Sequence, residues 1–314
     1  MRTPRFITYI AQWFDAKQYN VEKQAPDNAI DLLRIIPFIF LHLACFAVFW
    51  VGISTTAVVT AVAFYALRVF VLTGFYHRYF SHRTFKTSRT AQFIFAALGS
   101  TAVQRGPIWW AAHHRHHHRY SDEVEDVHSA KQHGFWWSHM GWFLTRKNFK
   151  TDHSRVSDLI AFPELLFLDR FDIMVPVLFA ILIFGLGQLL AIYAPSLHTN
   201  GSQMLIWGFF ISTVLAMQAT FSINSLTHCF GSRRYKTKDE SRNNLWLALL
   251  TFGEGWHNNH HHYPGSANQG FYWWEVDITY YILRLLQALG IIWDLRGVPE
   301  DIRMNHEKSP AESL

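Results

Sequence analysis

Ten of the nineteen histidines in this 314-residue chain fall in three short clusters: His77-Arg78-Tyr79-Phe80-Ser81-His82, His114-Arg115-His116-His117-His118 and His257-Asn258-Asn259-His260-His261-His262. Imidazole is the commonest protein metal ligand. In the second and third clusters the spacing i, i+3, i+4 sets His114, His117 and His118, and likewise His257, His260 and His261, on one helical face each. Facing helices of this kind can hold two metals. His77 and His82 stand five apart, which suits a helix whose end unwinds, one ligand leaving the last turn and one lying beyond it. Any single cluster reads equally well as a basic surface or as histidines that support ligands. Three together, interior to the chain and interrupted, read as a metal site and not as a purification tag. Zinc closes its shell at four ligands and in structural sites favours cysteine, which the clusters lack. Neutral imidazoles in this number suit two first-row ions of the iron kind, each with room for oxygen.

The elements that must position these ligands are membrane helices. Residues 35–76 are almost uninterrupted apolar sequence, about twice the roughly 20 residues that cross a bilayer. A break near Gly52-Ile53-Ser54-Thr55-Thr56 divides them into spans at about 35–52 and 55–75. A second hairpin follows, with spans at 173–194 and 204–223 around a polar turn. The expected fold is therefore all-α and membrane-integral, with four spans in two hairpins, and its metals sit in a helical cap formed by 76–172 and 224–314. The whole of 1–314 reads as one domain.

Lys and Arg placement gives the orientation. Five lie in the N-terminal arm, thirteen between Tyr76 and Asp172 and nine after Ile223, and neither hairpin turn carries any. By the positive-inside rule both termini and all three clusters face the cytoplasm. Arg68 alone lies inside a span, where snorkelling toward headgroups is the simple reading and ion binding the alternative. The apolar stretch 90–104 reads as a segment that lies in the interface or re-enters, and 159–168 and 278–293 read as helices lying flat on the inner leaflet.

Hydrophobic residues make up 50% of the chain, and the formal charge is +5. The mean hydropathy of +0.04 fits four spans joined to a large polar part. The basic balance serves the inner face, where it attracts anionic lipid or an acidic partner. Nucleic acid is not an expected partner, because the basic residues are interleaved with aromatics and no binding motif appears. Cys45 and Cys229 are too few for a disulfide framework or a thiolate metal site. No signal peptide, repeat or low-complexity linker is evident.

The boxes HRYFSH, HRHHH and HNNHH, the run Asn224-Ser225-Leu226-Thr227-His228, the segment Gly253-Glu254-Gly255-Trp256 and the stretch 134–142 together resemble the membrane acyl-CoA desaturases of the stearoyl-CoA Δ9 family, in a bacterial form. The likeness runs from about Thr73 to Asp277. It implies that His77, His82, His114, His117, His118, His228, His257, His260 and His261 hold two irons, with Asn224 reaching one through water. It gives His113, His116 and His262 no ligand role. Glu254, Asp126 and His128 take positions from which they orient the ligand imidazoles. It also implies a bent tunnel shaped by Gln104, Trp110 and Thr220 and closed by Tyr65, and a CoA site at Arg146 and Lys147. The family's Arg–Asp pair before the second box is replaced here by Ala112 and His113, which leaves an acyl-lipid or carrier-bound acyl substrate as an alternative to acyl-CoA.

Reduced irons beside an apolar tunnel, given dioxygen, supply an oxidant able to attack an unactivated methylene, which no side chain can do alone. The methylenes are chemically alike, so tunnel depth must select the position. A histidine-box hydroxylase is the competing enzyme class and would leave a hydroxyl in place of a double bond. A metal transporter, a non-enzymatic class, would place its ligands within the spans. The chain has no fused haem, flavin or cysteine cluster motif. A ferredoxin, rubredoxin or cytochrome b5-like protein, with its reductase, is therefore expected to bring the electrons, and the bacterial inner membrane is the expected location.

Overall fold

The computed structural model describes residues 11–18 and 29–305, and both expected cytoplasmic termini lie outside these residues. Helix α1 (Leu32–Ala44) runs on through a tight turn at Cys45–Ala47 and a last turn at Val48–Val51. It ends at Gly52, whose φ of +69° is open to glycine at little cost. Helix α2 (Thr55–Ser81) then starts on the Ser54 hydroxyl, which accepts from Ala57 N at 3.1 Å.

Beyond α2 lie α3 (Arg89–Ser100), α4 (Pro107–Tyr120) and α5 (Pro163–Arg170). The second hairpin is α6 (Met174–Tyr193) and α7 (Gly201–Leu226). Three short helices that bear on the site follow: α8 (Leu245–Leu250), α9 (His257–His262) and α10 (Ile278–Ala288). Among the described residues α2, α6 and α7 are long and apolar enough to cross a bilayer, while the apolar run of the first helix, Ile35–Val51, falls short of the other three. The outer side of α6 carries exposed Leu182 and Ile192, as a lipid-facing surface would.

The two hairpins are tied at their turns. Ser54 Oγ donates to Gln203 Oε1 at 2.6 Å, and Trp207 Nε1 donates to Gly52 O at 2.9 Å. The main core lies at the other end, where the last third of α2 meets α3, α4 and α5. Val71, Leu72, Phe75, Tyr76 and Phe80 pack there with Phe95, Ile108, Leu165 and Leu168, each such side chain contributing about 1.5–3 kcal/mol.

Three features differ from the reading of the sequence. The end of α2 does not simply unwind: Val71–Ser81 has π geometry, with His82 as its cap. Arg68 does not snorkel, because it is fully buried and bonded to carbonyls and a hydroxyl inside the bundle. The 278–293 stretch is not one helix. It turns at Gly290, φ +71°, and Ile292–Trp293 pairs antiparallel with Lys86–Thr87.

Candidate metal centre

The π segment of α2 brings the first cluster into line. In the i to i−5 bonding of a π-helix, seen where His82 N donates to His77 O at 3.2 Å, residues five apart come close, and the rings of His77 and His82 stand 4.9 Å apart. Helix α4 begins with Pro107 at its first position, and the Asp169 carboxylate accepts from Trp109 N at 2.8 Å. It then presents His114 and His118 to one side and His117 to the other.

Helix α9 is fixed by Asn243 and by the asparagines of its own motif. Asn243 Oδ1 accepts from Asn258 N and Asn259 N at 3.0 and 3.2 Å. Asn258 Oδ1 accepts from Arg234 N and Tyr235 N, and Asn259 Nδ2 donates to Gln269 O and Glu275 Oε2. Gly253 before it has φ +126°, and a Cβ there would meet the Asp277 carboxylate at 2.5 Å. A side chain at 253 would therefore disturb the turn that aims α9.

These elements gather nine imidazoles into two sets. His77, His82, His114, His118 and His260 form one, and His117, His228, His257 and His261 the other, the ring nitrogens within each set lying within 4.8 Å of one another. In the first set Nε2 atoms face Nε2 atoms: His77 to His260 at 3.0 Å, His82 to His114 at 2.8 Å and His260 to His118 at 2.9 Å. In the second, His228 Nε2 faces His257 Nε2 at 3.1 Å.

The far side of four rings meets a carboxylate. His77 Nδ1 contacts Glu254, His117 Nδ1 lies 2.9 Å from Asp126, His228 Nδ1 2.8 Å from Asp122 and His261 Nδ1 2.6 Å from Asp239. Each carboxylate holds the proton on Nδ1 and leaves an Nε2 lone pair pointing inward. His261 Nε2 is buried without a hydrogen-bond partner. Converging lone pairs cannot bond one another, and a divalent cation between them satisfies them all, so the donor set fits a nitrogen-preferring transition metal in each cluster.

The electrostatics favour the binding form at five of the ligands. Burial, followed by the neighbouring imidazoles, pushes His82, His114, His118, His257 and His260 well below the ordinary histidine range. Burial works against ionised Asp122, Asp126, Asp239 and Glu254, yet the bonded histidines hold all four below the usual carboxylate range.

Asp122 and Asp239 are not singled out by the sequence reading. A spacing signal existed for Asp122, which sits four residues before Asp126. None existed for Asp239, which reaches His261 through the fold alone. His128, given an orienting role, lies tilted against the His117 ring at 4.3 Å, with its Nδ1 3.8 Å from Asp126.

Of the three histidines given no ligand role, His116 contacts Glu125 O, His262 stacks on Tyr235, and His113 is buried against Trp109. His139, in the 134–142 stretch, is locked to α7 through Ser225 and Gln218.

A cavity reaches the first set at His114. Gln104, Trp110, Thr220 and Asn224 line it, together with Phe38, Leu41, Pro176 and Met217. Tyr65 is not among its lining residues, because its hydroxyl donates to Leu250 O at 2.7 Å and turns the ring toward α8. Arg146 and exposed Lys147 share the helical turn of Phe149, which lines the same cavity.

A family model described as fatty acid desaturase matches residues 53–289. An sn-1 stearoyl-lipid 9-desaturase of Synechocystis sp. is 37% identical over 247 residues, 76% of this chain and 73% of that protein. A Delta-9 acyl-lipid desaturase of Arabidopsis thaliana is 36% identical over 312 residues, 91% of this chain and 95% of its own length. An acyl-CoA 5-desaturase of Anemone leveillei is 34% identical over 286 residues, 88% and 82% of the two chains.

Proposed function

The chain belongs to the fatty acid desaturase family, oxidoreductases of lipid metabolism, and from this premise we propose that it inserts a cis double bond at C9 of a saturated fatty acyl chain. The observation that carries the reading is the convergence of nine imidazoles, in sets of five and four, one of which, His114, lines a largely apolar cavity. Two irons, one in each set, would supply with dioxygen an oxidant strong enough for an unactivated methylene.

The protein's own work is placement. Gln104, Trp110 and Thr220 bend the chain past His114, and the apolar walls keep water from the reacting carbons. Asn224, on the cavity wall and four residues before His228 of the second set, stands ready to hold a water ligand. The overall balance breaks two C–H bonds and releases two waters. Dioxygen's four electrons come two from the acyl chain and two, with two protons from solvent, from a separate one-electron donor of ferredoxin, rubredoxin or cytochrome b5 type, docking on the basic cytoplasmic face. Four spans, with α1 and its continuation as the first, leave the cap and both termini in the cytoplasm.

Arg146 and Lys147, on the turn beside the cavity, support CoA as the carrier. A lipid carrier is favoured by Ala112 and His113, which put no charge where an anchoring Arg–Asp pair is expected, and by the acyl-lipid activities of two relatives. Expression in a desaturase-deficient host, with mass spectrometry that locates double bonds, tests the reading. Monounsaturated chains with the bond at C9 are expected. Hydroxylated chains would replace it with the oxygenase alternative, and assays of purified protein on acyl-CoA against acyl-lipid separate the carriers.

A further inference from the structure

Arg68 is a guanidinium, charged at any relevant pH, in the middle of an apolar helix, and it is fully buried. No carboxylate among the described residues pairs with it. Nε donates to Thr101 O at 3.0 Å, and Nη1 to Ser212 Oγ at 2.6 Å and, at 3.4 Å, to Gly208 O and Phe64 O. Nη2 has no partner. The rings of Phe179 and Phe209 lie 4.9 and 5.6 Å from the guanidinium carbon. Thr101 caps the C-terminus of α3, so the charge meets the negative end of that helix. A cation kept at such a depth without a counter-ion marks a functional position.

What Arg68 holds is the turn that follows. Val103 and Arg105 have φ of +59° and +68°, a strained conformation for a β-branched valine that persists only when its surroundings enforce it. Arg105 fastens the far end through Asp172 at 2.7 Å and by lying 3.6 Å over the Phe149 ring. Arg68 fastens the near end. Between the two strained residues sits Gln104, on the cavity wall with a buried amide nitrogen that has no partner.

We infer that Arg68 is a positioning residue that sets the site of desaturation by clamping the 101–105 turn and thereby fixing Gln104 against the acyl chain. The inference rests on the desaturase reading. Arg68 touches neither substrate nor ligand; it acts through the turn. Neighbouring methylenes are alike, so a loosened wall lets the chain settle in more than one register, and positional isomers follow.

The test expresses full-length Arg68→Lys and Arg68→Gln in the desaturase-deficient host and maps double bonds against the wild type, with iron per purified protein measured alongside. Isomers on the flanking carbons should rise several-fold while iron content holds. Wild-type isomer proportions in variants that keep their iron would overturn the inference. Should neither variant accumulate, Ser212→Ala, which removes the shortest bond to Arg68 and leaves the arginine, decides: spread isomers support the clamp and unchanged proportions overturn it. A wild type that forms no double bond would overturn the desaturase reading itself, a distinct result.

Discussion

At the residue scale the centre is built on proton placement as much as on nitrogen count. Asp122, Asp126, Asp239 and Glu254 each fix an Nδ1 proton and so turn an Nε2 lone pair inward. His117→Ala should abolish activity and lower bound iron while the protein still inserts in membrane, as read by metal analysis of solubilised protein. Asp239→Asn keeps the shape but frees the His261 tautomer, and metal affinity should fall about 10–100-fold, measured by competition with a chelator. Eight of the nine imidazoles were legible from type and spacing because ligands repeat in clusters, whereas His228, which stands alone, entered only through the resemblance. The carboxylates were only half legible, since nothing in the chain near Asp239 announces a partner 22 residues on.

At the scale of elements, α4 and the end of α2 carry the geometry, and each depends on a neighbour. Gly99 of α3 lies so close to the Tyr76 ring that a Cβ would overlap it. Gly99→Ala should destabilise by about 1–3 kcal/mol, seen as a lower thermal midpoint in detergent. Asp169, which caps α4, is raised by burial from 3.8 to about 6. Its folded value lies above its unfolded one, so its cost is absent below about pH 4, grows between pH 4 and 6, and is complete above that, on the order of 3 kcal/mol. Asp169→Asn keeps an acceptor for Trp109 N and should gain stability over the parent at pH 7.5 but not at pH 4, checked by paired melts. The helical faces of α4 and α9 were legible from periodicity, whereas π geometry has no periodic signature that distinguishes it from a frayed end. The end of α10 had a signal in Gly290, but the apolar run beyond it masked the turn.

At the scale of the whole molecule, hydropathy gave the hairpins, and box order gave which ends converge. It did not give the walls of the cavity, which are drawn from segments as far apart as Phe38, Gln104 and Met217. Tyr65 illustrates the limit: its place on α2 is compatible with a tunnel end, but a single hydrogen bond to α8 takes it elsewhere. Tyr65→Ala should leave the acyl-length profile of host lipids unchanged, and a shift to longer chains would return the residue to the tunnel.

The ring of acids behind the imidazoles also settles a matter of neutrality. Arg78 and Asp277 cancel as a pair, so Glu254, Asp122, Asp126 and Asp239 leave four negative charges around otherwise neutral donors. On the iron reading proposed above, two ferrous ions would balance that total, whereas each ferric ion would exceed it by one, which would favour the electron-rich form that waits for oxygen.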